Sequence, residues 1–339
     1  MLNTSEMVQT PATARASRPK RRRLRIALAV VAVLDLVVVG SAAAYVTFLN
    51  HTVTSNVKHQ ALLPAPSAGE PSMPKLAEAK DAQNFLVIGS DSRSGVGTRG
   101  LSDVIILVHI NNVRSRVDLV HFPRDLYVNI PGHGKDKINA AYSYGGAPLL
   151  VRTVENLVRT PIDHVSIIGF EGFKAMTDAV GGVDVFAEES STSASGNIVK
   201  GMNHLNGDQA LDFVRERHQL SEGDISRGKR QQAFIKALML KGLSKEVLLN
   251  PITFAGFADA ATKNLTVDTA FSMSALRSEA LQMRNLNGRD IYFTTAPFTG
   301  FGTSPAGGSI DVLDTVKIQQ LSVALQHDDM ASYTVATSK

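Results

Sequence analysis

Three groups of polar residues stand where predicted strands and helices end, the places where a fold exposes chemistry. The first is Gly89-Ser90-Asp91-Ser92-Arg93, which directly follows an apolar run, with Asp103 twelve residues after Asp91 in Leu101-Ser102-Asp103. Polar residues at the carboxyl end of a central strand line the usual ligand crevice of an α/β sheet. Two carboxylates at one sheet edge suit a hard divalent cation. Spacing alone favours the plainer reading, an Asp turn after one strand and a polar start to the next. The second group is His121-Phe122-Pro123-Arg124-Asp125, followed by Asp136-Lys137-Ile138-Asn139. Arg124 and Lys137 either sit on the solvated surface or, placed at sheet ends, face an anion. The third is denser. Phe213-Val214-Arg215-Glu216-Arg217-His218 closes one predicted helix, and Asp224, Arg227, Lys229, Arg230, Gln231 and Gln232 open the next. Arg227 shares a helix face with Arg230 and Gln231, and the planar guanidinium fork suits bidentate phosphate contacts. Such a face is commonly just solvated; this concentration of cations around one tight turn points to an anion site.

Other chemistries are excluded. The chain has no Cys, so it holds no disulfide, thiolate nucleophile, cysteine-ligated metal or lipidated cysteine. It has no GxxxxGK[ST] phosphate loop, GxSxG elbow or HExxH motif. Ser190–Ser195, beside Glu188 and Glu189, reads as a flexible loop.

The elements that must position these residues alternate. Asn84–Gly89, Asp103–Ile110, Arg116–Phe122, His164–Phe170, Gly182–Phe186 and Asp290–Thr294 read as strands, being β-branched or alternating. Helical spacing runs over Pro148–Arg159, Gly172–Val180, Asn206–Arg217, Asp224–Leu243, 252–263, 269–284 and 312–326. Strands mixed with helices of this length predict an α/β fold with a mixed central sheet covered on both faces.

The 339 residues carry a net charge of +4, which would suit a nucleic-acid partner. Its location says otherwise. Residues 1–25 hold seven positive charges against Glu6 alone, and the remaining 314 residues are net −2. Ile26–Leu49 follows, 24 residues whose one charge is Asp35. As a helix it rises about 36 Å, enough to cross a hydrocarbon core of ~30 Å. The preceding Arg/Lys excess places the N-terminus in the cytoplasm and the rest outside. A cleaved signal peptide is the alternative, suggested by Ala42-Ala43-Ala44, although the span exceeds the usual apolar region of ~7–15 residues. The expected organisation is a basic cytoplasmic tail (1–25), a membrane signal anchor (26–49), a Pro/Ala/Ser-rich stalk (50–80), an extracytoplasmic folded domain (81–327) and a short tail (328–339), with no nucleic-acid partner.

Taken in order, NFLVIGSDSR (84–93), LSDVIILVHIN (101–111), FPRDLYVNIPGHGKDKINAAYSYGG (122–146), PIDHVSIIGFEGFKAMTDAVGGVDV (161–185), LNGDQALDFVRERH (205–218) and GDISRGKRQQ (223–232) resemble the LytR-CpsA-Psr (LCP) family of cell-wall glycopolymer ligases. The resemblance covers nearly all of residues 84–232. It implies a mixed sheet between helices with an apolar groove for an isoprenoid tail. It also implies a membrane-anchored, Mg²⁺-dependent phosphotransferase that moves a glycopolymer from a polyprenyl-pyrophosphate carrier to a peptidoglycan acceptor. Asp91 and Asp103 match the family's Mg²⁺-associated acids, and either is a candidate general base. Arg124, in the PRD motif, matches the pyrophosphate contact. Arg215 and Arg217 match the paired arginines at the helix end, Arg227 and Gln231 the downstream DxxR and RQQ positions, and Lys137 the DKIN lysine. Arg93 follows the first acid. Three rivals stand beside this reading. A pyrophosphatase would differ only in its acceptor, a lipid-carrier module would bind without turnover, and a transcriptional attenuator, as the family's name suggests, would need a DNA-binding part inside the cell.

Overall fold

The computed structural model describes residues 41, 44–65, 73–90, 102–242, 244–272, 278, 279, 282, 283 and 286–337. The chain divides into two units, residues 1–51 and 52–339. Of the first, the described residues 41 and 44–51 are helical. Most of the expected span Ile26–Leu49 lies outside the described residues, and among those described no helix is long and apolar enough to cross a membrane.

The second unit is built on a seven-stranded mixed sheet. In chain order its strands are β1 (Lys58–Gln60), β2 (Gln83–Ser90), β3 (Ser102–Ile110), β4 (Val117–His121), β7 (His164–Gly169), β12 (Leu265–Asp268) and β13 (Ile291–Thr295). Across the sheet the order is β1-β12-β7-β2-β3-β4-β13. β2 pairs antiparallel with β3 and parallel with β7. NFLVIG reads as a buried strand, and its burial alternates along β2, with Asn84, Leu86 and Ile88 on one face. A second sheet, ordered β14-β15-β5-β6, joins β5 (Leu126–Ile130) and β6 (Gly134–Lys137) to β14 (Phe298–Thr303) and β15 (Ser309–Leu313).

Helices cover both faces of the main sheet, as predicted. On one face α1 (Ile138–Val158) and α7 (Thr315–Gln326) pack Leu150, Val151, Val154, Leu321 and Leu325 against Leu86, Ile88, Ile105, Leu107 and Val120. On the other, Ile106, Ile110, Val117, Leu119 and Ile291 meet Ile235 and Met239 of α4 (Asp224–Gly242). A side cluster joins α4 to the ribbon of β8 (Val183–Ala187) and β11 (Gly201–Leu205) through Phe213, Phe234, Val183 and Val185. Burying each large aliphatic side chain is worth roughly 1.5–3 kcal/mol. α1 starts ten residues before the expected Pro148 because it is two segments. Gly145 and Gly146 break it, Gly146 at φ 65°, and Pro148 opens the second segment, where its missing N–H costs nothing. α2 (Phe170–Ala179) and α3 (Gly207–Arg215) lie where expected, and Asn206 caps α3 in a capping box. After α4 come the short α5 (Lys245–Leu248) and α6 (Pro251–Lys263), the latter where the 252–263 spacing predicts a helix. The 269–284 pattern lies largely outside the described residues.

Three expectations change. Part of the expected stalk belongs to the fold: β1 pairs in parallel with β12, and Leu62 is buried in the main core. The sequence KHQ carries no strand pattern, so its partner imposes the conformation. The expected tail at 328–339 forms α8 (Met330–Thr337), with Met330 and Tyr333 packed into the same core. The expected loop at 190–195 contributes to a hairpin of β9 (Ser191–Ser193) and β10 (Gly196–Ile198).

Candidate active site

Arg124 lies in the tight corner between β4 and β5. The backbone of this corner is pinned on both sides: Asn139 N–H donates to Arg124 O at 3.2 Å, and Asp311 N–H donates to Asp125 O at 2.9 Å. Lys137 ends β6 and stands at the N-cap of α1. Asp125 sits between the two cations, 2.7 Å from Lys137 Nζ and 3.4 Å from Arg124 Nε. All three side chains are partly buried, so their mutual orientation is firmer than that of exposed ion pairs.

Arg217 comes from a different part of the chain. α3 ends at Glu216, whose carboxylate accepts the N–H groups of His218 (2.7 Å) and Gln219 (3.0 Å) and so shapes the turn that carries Arg217. Burial pushes the Glu216 carboxyl up, and the N–H groups of Gln219, His218 and Arg217 outweigh it, so its pKa falls below the usual value.

These residues meet in a cavity of about 440 Å³ lined by Arg124, Asp125, Lys137, Arg217 and Glu222, and by Phe301, Ser309 and Asp311 of the second sheet. Three of the expected cations, Arg124, Lys137 and Arg217, are therefore brought together. Three carboxylates share the lining and balance them. An entering phosphate must exchange with Asp125 for its two cations. The sequence reading missed Glu222, Phe301, Ser309 and Asp311 as site residues. Asp125 was visible beside Arg124, but nothing local joined Asp311 to it.

The other candidates are placed differently. Arg215 is exposed at the end of α3 and does not line the cavity. Arg227 and Gln231 are buried in α4, and the Gln231 amide donates to Val214 O at 3.3 Å, tying α4 to the end of α3. Arg230, on the face expected to form an anion site, is buried: it donates to Ser191 Oγ (2.9 Å) and Glu189 O (2.7 Å) and lies over the Phe213 ring. Lys229 pairs with Glu222 at 2.9 Å and Glu188 at 3.5 Å.

Asp91 and Arg93 lie outside the described residues, and of Asp103 only the backbone is described, on β3. Among the described residues no group of three or more His, Asp or Glu side chains can hold a metal ion. The strand ends that carry the two acids are nonetheless distinctive. The β2–β3 register shifts between Gly89 and Ser90, and a Cβ on Gly89 would come within 2.8 Å of Val104 Cβ, so this crossing requires glycine. One step on, Ser102 Oγ is wholly buried and has no hydrogen-bond partner among the described residues. Ser102 directly precedes Asp103 in the sequence, and an orphaned hydroxyl with carboxylates, in a chain without cysteine, is the hard-oxygen chemistry that suits Mg²⁺.

Fold and site together define a class: an α/β domain with a cavity at its second sheet where Arg124, Lys137 and Arg217 stand among three carboxylates. The chain belongs to the LytR_cpsA_psr family, whose model matches residues 45–327. The polyisoprenyl-teichoic acid–peptidoglycan teichoic acid transferase TagU of Bacillus cereus is 37% identical over 201 residues, 59% of this chain and 66% of TagU. The chain thus spans just under two thirds of that relative's length. The TagU of Oceanobacillus iheyensis is 37% identical over 240 residues, 69% of this chain and 72% of that protein. The solved structure of TagT bound to LIIa-WTA superposes with a TM-score of 0.61 at 28% identity, covering 80% of this chain and 99% of TagT.

Proposed function

We propose that this chain is a membrane-anchored phosphotransferase that moves a glycopolymer from a polyprenyl-pyrophosphate carrier to peptidoglycan. The observation that carries the reading is the convergence of Arg124, Lys137 and Arg217 on one cavity, in a family whose TagU members are named for this transfer. The TagT structure with LIIa-WTA bound supports it.

The bond between the two carrier phosphates breaks. The phosphorus that bears the glycan forms a new bond to an acceptor sugar hydroxyl, the hydroxyl proton passes to a base, and polyprenyl phosphate leaves. Such transfers are catalysed mainly by positioning and by stabilising charge on the phosphoryl oxygens. Arg124 and Lys137 supply positive charge from one corner and Arg217 from the turn after α3. Gln231 ties α4 to the end of α3, and Arg215, Arg227 and Gln231 would add to the pyrophosphate-binding set. Asp91 and Asp103 would hold Mg²⁺, which supplies further neutralisation of the pyrophosphate, and either acid is the candidate base. Arg93 would stand beside the metal. Residues 1–25 would face the cytoplasm, Ile26–Leu49 would cross the membrane, and the folded unit would work outside it.

The test is transfer from a defined polyprenyl-pyrophosphate glycan to peptidoglycan oligomers by the full-length protein, with and without Mg²⁺. Arg124→Ala should lower transfer by about 100-fold or more, the scale of losing one preorganised charge donor. Unchanged turnover in both Arg124→Ala and Asp103→Ala overturns the site assignment. A reporter fused after residue 60 and active only in the cytoplasm overturns the topology.

A further inference from the structure

A second cavity, of about 500 Å³, lies beside the first, and Glu222 belongs to the walls of both. Its other walls include Phe186, Glu188, Glu189, Lys200 and Lys229. Nothing in the transfer chemistry above uses them.

The cavity opens along the outer face of the β8–β11 ribbon. Burial alternates in β8, so Val183, Val185 and Ala187 face the core while Phe186 points out. Met202 stands directly opposite Phe186 in register, and the two are 55% and 63% exposed, Phe186 and Met202 respectively. The paired side chains leave an apolar patch beside the cavity, a surface on which a ligand can pack.

One carboxylate of the wall, Glu189, is ordered in advance, and the half-exposed Lys229 stands between two more. Lys229 spans Glu222 and Glu188. Glu189 accepts the Ser226 hydroxyl at 2.6 Å and the Ser221 N–H at 2.7 Å, while its backbone carbonyl takes Arg230. A preset carboxylate of this kind spares part of the ordering cost of binding. With three carboxylates against two ammonium groups and no guanidinium, the lining does not favour phosphate. It suits a polyhydroxylated chain: hydroxyls donate to the carboxylates and accept from the lysines, and an apolar sugar face lies on the Phe186 ring.

We propose that this second cavity is the acceptor subsite, holding the sugar chain of the acceptor with Phe186 as its platform. The inference rests on the transferase reading for its role. An in-line displacement brings the acceptor oxygen in opposite the leaving phosphate, so donor and acceptor need adjoining cavities with a common wall, and Glu222 is that wall.

The experiment is calorimetric titration of the full-length protein in detergent with a peptide-free tetrasaccharide of alternating N-acetylglucosamine and N-acetylmuramic acid, and separately with the stem peptide alone. The tetrasaccharide should bind. Phe186→Ala should weaken it by about tenfold or more without changing the thermal midpoint, since the ring is exposed, and Arg124→Ala should leave binding intact. Three results overturn the proposal: no tetrasaccharide binding, equal binding to Phe186→Ala, or binding of the stem peptide only. Donor turnover on the same preparations separates the two readings. A protein that binds the tetrasaccharide through Phe186 but never cleaves the carrier refutes the transferase and leaves the sugar site standing.

Discussion

Acidification should destabilise this fold through one histidine. His121 ends β4, immediately before the Phe122-Pro123-Arg124 corner, and is 6% exposed. Gln232 of α4 donates to its Nδ1 at 3.2 Å and also to Thr295 Oγ1 at 2.5 Å. With Nδ1 accepting, the ring is neutral and carries its proton on Nε2. Burial lowers its pKa from 6.5 to about 4. Because the folded pKa lies below the unfolded one, the unfolded chain binds more protons between them. Stability from this group is complete above the unfolded value and is lost as pH falls towards the folded one. At about pH 4.5 the loss comes to roughly 2.5 kcal/mol, at ~1.36 kcal/mol per pK unit. The measurement is urea unfolding of wild type and His121→Gln at neutral pH and at about pH 4.5. Carboxylates titrate in both proteins and cancel in the comparison. Wild type should lose roughly 2.5 kcal/mol more than the variant over this range; equal losses refute the argument. His121 joins the Arg124 corner to α4, so transfer activity should fall over the same window.

Two further outcomes follow from packing. Arg230→Ala removes two charge-assisted hydrogen bonds and the stack on Phe213 from a buried position, and should cost about 3 kcal/mol in chemical unfolding. Two glycines should respond oppositely in thermal melts. A Cβ at Gly207 would lie 2.6 Å from Lys174 O, so Gly207→Ala should destabilise by about 1–3 kcal/mol. At Gly228, inside α4, the nearest atom would be His121 Cε1 at 4.0 Å, so Gly228→Ala should stabilise by about 1 kcal/mol through helix propensity.

Much of the main sheet was legible because its signal is local. NFLVIG is a short apolar run ending in Gly, DVIILVHI is mostly β-branched and apolar, and Asn206 with Gln209 announces the start of α3. The second sheet was not legible. β5 and β6 lie in LYVNIPGHGKDK as a local hairpin turning through Pro131 and Gly132, and they join β14 in one sheet only because β15 pairs with β5 from nearly two hundred residues away. β1 and the β9–β10 hairpin fail for the same reason: short, polar strands take their conformation from partners, and no periodicity records a partner.

Residue type and order by themselves determined the family, the strand-end position of Arg124 and the cluster of cations around residue 217. They also located the chain's positive excess in its first 25 residues rather than in the folded unit. Only the tertiary structure decided which cations share a space. Arg124, Lys137 and Arg217 line one cavity because β15 docks on β5 and the turn after α3 faces it, whereas Arg230 turns inward to hold a loop and Arg215 stays outside. The carboxylates that balance the site, Asp125, Glu222 and Asp311, come from three distant segments. Sequence spacing fixes which helix or strand face a charge occupies, but only long-range pairing fixes which other charge it meets.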